Sequence, residues 1–140
     1  MPRRQPIALL VLISLSLIGC GADTHESLAE EGIEIMEGIT EALSEVEDEA
    51  SADRAGEKIK ALAEDFRDVA ARLDALGKPD EETERQVQEA FESRGAAGSE
   101  HFQAEIGRIM ELDPALMSRL EPAMDTFMQA IVESQPSWEE

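Results

Sequence analysis

The 140-residue chain has one cysteine, no tyrosine, four phenylalanines, one tryptophan and two histidines. A single cysteine excludes an intramolecular disulfide, and without a His/Cys cluster there is no ligand set for a structural zinc. Positive charge is equally scarce: 12 Lys plus Arg face 32 Asp plus Glu, for a formal net charge of −20. Binding to nucleic acid relies on Lys and Arg neutralising phosphates, so this balance argues against that class of partner. No segment alternates with period two and is rich in β-branched residues, so no sheet is expected. No serine stands in a nucleophile elbow such as G-x-S-x-G, and carboxylate pairs are too numerous for spacing to single one out. The chain is therefore read as a non-enzyme with no catalytic residue and no cofactor.

What the chain does have begins with an apolar run. Arg3 and Arg4 precede "IALLVLISLSLIG", about 13 residues, where a bilayer span takes roughly 20. That is the build of a signal-peptide core. The run ends on the lone cysteine, and "LIGC", residues 17–20, resembles the lipobox of bacterial lipoproteins. The resemblance covers only the first 20 or so residues. It implies that Cys20 receives a diacylglyceryl group, that signal peptidase II cuts between Gly19 and Cys20, and that the new amino terminus is often acylated too. Two or three acyl chains, at about 0.8 kcal/mol per buried methylene, anchor stably where one does not. In enterobacterial lipoproteins the residue after the cysteine steers sorting. Gly21 there implies the periplasmic face of the outer membrane in a two-membrane organism. Losing the two signal arginines leaves 10 basic against 32 acidic side chains, a charge of −22. The expected organisation is a signal peptide over residues 1–19, lipidated cysteine and tether over 20–26, a helical domain over 27–134 and a tail over 135–140. The extended tether would reach roughly 20–25 Å.

Within the mature chain the apolar period is helical. Over residues 26–50, Leu28, Ile35, Ile39, Ala42, Leu43 and Val46 share one stripe at 100° per residue, while Glu26, Glu30, Glu34, Glu37, Glu41 and Glu45 fall opposite. Ala55, Ile59, Leu62, Phe66, Val69, Leu73 and Leu76 then alternate steps of four and three, a bundle seam. The second stripe is about 180° out of phase with the first, which predicts a tight turn near residues 51–53. Gly77 and Pro79 end the second helix. A third opens near Pro79 with Asp80, Glu81 and Glu82 at its positive end. Its stripe of Val87, Phe91, Phe102, Ile106 and Ile109 either continues through Gly95 and Gly98, with small residues permitting close approach, or breaks there. Asp113 and Pro114 begin a last helix that presents Leu116, Leu120, Met124, Phe127 and Ile131 inward. Pro122 should kink or split that helix. The fold expected is all-α, an antiparallel bundle of three to four amphipathic helices.

Three features suggest chemistry. The row Glu30, Glu34, Glu37, Glu41 and Glu45 is a solvated face and a candidate landing surface for a partner with a basic surface. Its continuation to Glu49 is mildly self-repulsive. No EF-hand spacing appears, so these carboxylates are not read as a calcium site. His101 and Glu105, one turn apart, form an incomplete metal pair. Met110, Met117, Met124 and Met128 hold thioethers suited to Cu(I), though a methionine stripe more often makes adaptable core or a forgiving groove for partner helices. Trp138 is read as covering one end of the bundle or fraying with the tail, and His25 as solvated tether. The functional expectation is a lipid-anchored cell-envelope protein with a structural or protein-interaction role. The alternative is a periplasmic metal- or small-ligand-binding module using His101, Glu105 or Met124.

Overall fold

A computed structural model describes residues 22–139. It contains α1 (His25–Ser44), α2 (Glu49–Leu76), α3 (Glu81–Leu112) and α4 (Pro114–Glu133), followed by a short 3-10 turn at Ser137–Glu139. Among the described residues there is no strand. The segment expected to be a signal peptide, with Gly19 and Cys20, lies outside the described residues.

Each helix begins where a side chain can satisfy its orphan N–H groups. Thr24 and Ser27 form a reciprocal capping box at the start of α1, each backbone N–H reaching the other's hydroxyl at 3.0 Å. Asp48 and Ser51 form a second box: Ser51 N donates to Asp48 Oδ1 at 2.8 Å, and Ser51 Oγ accepts from the N–H groups of Asp48 and Glu47, both at 2.9 Å. This box corrects the expected turn near residues 51–53. The chain turns at residues 45–48 instead, because the D-x-x-S cap fixes α2 at Glu49, and buried Val46 closes the turn. Asp80 caps α3 and Asp113 caps α4, whose first residue is Pro114.

Gly77 ends α2 at φ +78°, a conformation that side chains with a Cβ rarely adopt. The helix α3 continues unbroken through Gly95 and Gly98, and α4 through Pro122. Pro122 removes one backbone donor and leaves the Ser118 carbonyl without its helical partner. Both residues are exposed, so water can solvate that carbonyl and the helix is not split.

Consecutive helices run antiparallel, yet the lateral neighbours are not all consecutive. Against α1 lie α2 and α3; against α4 lie α2, most extensively, and α3, least. The residue pairings give the directions. Arg119 meets Asp53 while Arg67 meets Glu133, so α2 and α4 are parallel neighbours. Arg94 meets Glu37 while Arg108 meets the end of α1, so α1 and α3 are parallel too. The link from α2 to α3 therefore crosses the bundle end, where the His25 ring Nε2 lies 2.8 Å from the Gly77 carbonyl. His25 is thus helical and hydrogen-bonded, not part of a solvated tether. Of the residues expected to form a tether, Thr24 caps α1 and Asp23 is clamped by Arg72 at 2.6 and 3.0 Å.

The core follows the stripes. Leu28, Ile39, Leu43 and Val46 from the α1 side, Ile59 from α2, Ile109 from α3 and Leu120 from α4 are fully buried. Each such side chain contributes about 1.5–3 kcal/mol relative to exposure. The α2/α4 seam is built from small residues, Ala52, Ala55 and Ala63 facing Ala123 and Ala130, with Phe66 and Phe127 edge-to-face at 5.6 Å. The tail folds back onto α2, where Ser137 donates from both N and Oγ to Asp74 Oδ1 at 2.8 Å.

Arg108 supplies the C-terminal cap that α1 lacks. It donates to the carbonyls of Leu43 and Val46 at 2.9 Å and of Ser44 at 3.3 Å, while Glu105 orients it at 2.7 Å. Arg108→Lys retains the charge but loses the planar fork. Urea denaturation should show it less stable by about 1–2 kcal/mol.

A second expectation concerns acid. The Ser51 backbone N–H holds Asp48 below the usual carboxylate range, as Ser137 does for Asp74, Thr83 for Asp80 and the Arg72 side chain for Asp23. A carboxylate whose folded pKa is depressed below its unfolded value of about 3.9 stabilises fully above that pH and stops doing so as pH falls through the folded value. Unfolding should therefore set in below about pH 4. Asp48→Asn preserves the cap without the titration, so its denaturation midpoint should fall less steeply with acid than that of the wild type.

Candidate functional site

The predicted candidates have separate fates. All five carboxylates of the acidic row are exposed, but Glu30 and Glu37 are held by Arg94 of α3, and Glu41 lies 3.9 Å from Lys58. Glu34 and Glu45 make no ion pair among the described residues. Glu49 leaves the row altogether, since it opens α2 and pairs with Arg119. The acidic row is thus partly a docking strip for α3.

His101 is exposed, Glu105 is engaged by Arg108, and Met124 lies on α4. No group of three or more His, Cys, Asp or Glu side chains among the described residues converges as a metal ion would require. The methionines also divide: Met110 is on α3, whereas Met117, Met124 and Met128 are on α4.

Two of those methionines belong to a site that the sequence did not disclose as a site. A cavity of about 290 Å³ opens between α1, α3 and α4. Ile33, Met36, Ile39 and Thr40 line it from α1, Phe91, Gly95, Gly98 and Phe102 from α3, and Met124, Phe127, Met128 and Ile131 from α4. Arg94 and Glu37 are its only charged lining residues. Met36, Phe91 and Met128 are 46, 44 and 55% exposed, so three large apolar side chains from three helices stand open to water. Isolated exposed apolar residues are ordinary; several at one apolar groove mark a binding surface.

The groove exists because α3 is fastened unevenly. Ile109 is its one buried residue, and with Arg108 it locks the C-terminal end onto α1. Farther back, the Arg94 guanidinium grips Glu37 through both carboxylate oxygens at 2.8 and 2.9 Å and also Glu30. Between these two fastenings lie Gly95 and Gly98, and here the expectation of close helix approach fails. A Cβ at either position would meet nothing within 4 Å. The glycines leave empty space rather than bringing a neighbour near, and that space is part of the cavity.

A shallower depression between α1 and α2 carries Glu31, Glu34, Asp65 and Asp68, with Arg72 donating to Glu31 and Asp68. These hydrogen bonds, with the stronger one to Asp23, raise the Arg72 pKa further above its ordinary value. This cluster is an internal clasp.

No protein-family model, curated protein or solved structure matches the chain. The sequence carried a partial sign of the groove in the Phe91/Phe102 stripe, the glycines between them and the methionine period.

Glycine in the interior of a helix costs about 0.5–1 kcal/mol relative to alanine, and nothing obstructs a methyl group here. Gly95→Ala should therefore raise the thermal midpoint by several degrees, measured by circular dichroism.

Proposed function

We propose that this protein is a lipid-anchored interaction module of the cell envelope, without catalytic chemistry of its own, that holds the apolar part of a partner in the groove between α1, α3 and α4. The observation that carries the reading is the half-exposed ring of Met36, Phe91 and Met128 around an apolar cavity. Flexible thioethers suit a surface that must adapt to its occupant. The acidic row is secondary, because Glu30 and Glu37 already serve α3.

The anchor rests on the lipobox resemblance at residues 17–20, outside the described residues. No helix among the described residues is long and apolar enough to cross a membrane; in this reading the anchor is the acyl chains on Cys20. With Asp23 clamped by Arg72, only Gly21 and Ala22 separate that cysteine from the bundle, three residue steps or at most about 10 Å. The groove begins some eight residues into α1, which adds roughly 12 Å. The partner would therefore be held close to the bilayer, on the periplasmic face of the outer membrane if Gly21 sorts as it does in enterobacterial lipoproteins.

The alternative, a periplasmic small-ligand module, would use the same cavity for an apolar molecule. For its metal-binding form, no group of three or more His, Cys, Asp or Glu side chains among the described residues could hold an ion.

Growth with radiolabelled palmitate tests the anchor. The wild type should incorporate label and Cys20→Ala should not. An unlabelled wild type, or label persisting in the variant, would remove lipidation from the reading.

A further inference from the structure

We infer that the occupant of the groove is an amphipathic α-helix with a cationic polar face, contributed by another protein. The inference rests on the interaction reading above but not on the lipid anchor.

Shape is the first argument. The lining spans eleven residue steps along α3, from Phe91 to Phe102, and seven along α1, from Ile33 to Thr40. At 1.5 Å per residue these are about 16 and 10 Å, or two to three helical turns. A guest helix placing residues i, i+4 and i+7 on one face spans that length and buries three side chains. The apolar lining, interrupted only by Arg94 and Glu37 at its edge, suits such a face.

Charge is the second argument, and it separates a cationic helix from an anionic lipid. Both α3 and α4 carry carboxylates beside the lining that no cation engages, Glu92 accepting only from the Gln88 amide at 2.8 Å. On α3, Glu92 lies one turn from Gly95; on α4, Glu121 and Asp125 share the stripe of Met128 and Val132; all three acids are exposed. No ion pair engages them among the described residues, whereas Arg94, the one cation in the lining, is already neutralised by Glu30 and Glu37. A fatty acid or anionic headgroup entering the groove would meet carboxylates on the α3 and α4 flanks and, in the lining, a cation already held by Glu30 and Glu37. A guest helix with Lys or Arg flanking its apolar face would find opposite charge on both banks, with a chain of net charge −20 behind them to steer its approach. Val132, 68% exposed and one turn beyond Met128, extends the apolar strip at the mouth. The methionines and the empty space at Gly95 and Gly98 let one groove accept different apolar side chains.

Synthetic peptides provide the test, with the full chain reconstituted in phosphatidylcholine nanodiscs and empty discs subtracted. The probe is an 18-residue Leu/Lys peptide patterned as an amphipathic helix. The controls are the same pattern in Leu/Glu and a Leu/Lys peptide of equal composition whose leucines are scattered around the helix. The patterned Leu/Lys peptide should bind and gain helicity, at least about tenfold more tightly than either control. Its affinity should fall with added salt as the banks are screened. Gly98→Leu fills the cavity, and Met128→Lys places a cation at its exposed rim; each should weaken binding about tenfold. Because Met128 is more than half exposed, the second variant does not depend on the core tolerating a change.

Equal binding of the scattered peptide, or undiminished binding to both variants, would show adsorption to the acidic surface and overturn the groove assignment. Equal binding of Leu/Glu would overturn the charge argument. A fluorescent fatty acid that binds while the patterned peptide does not would assign the cavity to acyl chains and overturn the proposal. Any of these results would leave palmitate labelling of Cys20 untouched, so failure of the guest and failure of the anchor are distinguishable.

Discussion

Thirty-two carboxylates and only ten cations outside the signal-like segment set the terms on which these four helices can pack. Most acids must face water, and the few guanidinium groups must lie where helices meet. Arg67 joins α2 to α4, Arg72 joins α2 to α1, Arg94 and Arg108 join α3 to α1, and Arg119 joins α4 to α2. Each exposed pair adds only about 0–1 kcal/mol, so the apolar stripes supply the stability. What the arginines decide is register and direction, because a planar fork engages two carboxylate oxygens in few geometries.

Helix α3 shows the consequence most clearly. It is the longest helix and has the thinnest apolar anchorage, one buried isoleucine, and its position depends on Arg108 capping α1 and Arg94 gripping two glutamates of that helix. Between those fastenings there is no apolar seam comparable to that of α2 on α4. The result is an unfilled region bordered by methionines and phenylalanines, the proposed partner site. A better-packed α3 would close it. The groove and the scarcity of core residues on α3 are the same physical fact.

How legible this was from sequence varied with the range of the interaction. The α1 and α2 stripes, the Gly77 stop, the Asp80 start and the Asp113/Pro114 junction were all readable, because capping and apolar period act within a few residues. The turn between α1 and α2 was misplaced because no Gly or Pro punctuates it. The Asp48/Ser51 box that does mark it looks like any other polar stretch of the acidic chain. The glycines of α3 were read either as permitting close approach within a continuous helix or as a break; the helix is continuous, yet they border empty space. The ordered tail was missed since Asp74 and Ser137 are 63 residues apart.

The sequence by itself determined an all-helical protein with acidic outer faces and apolar stripes on α1, α2 and α4. Periodicity and end-capping are local properties that the chain carries wherever it is placed. Only the tertiary structure decided that α1 and α3 run side by side, that the acidic row is shared with Arg94, and that Phe91, Met36 and Met128 surround one cavity. Those outcomes depend on which helix lies against which. That choice is made by long-range burial and by a handful of arginines whose partners lie dozens of residues away.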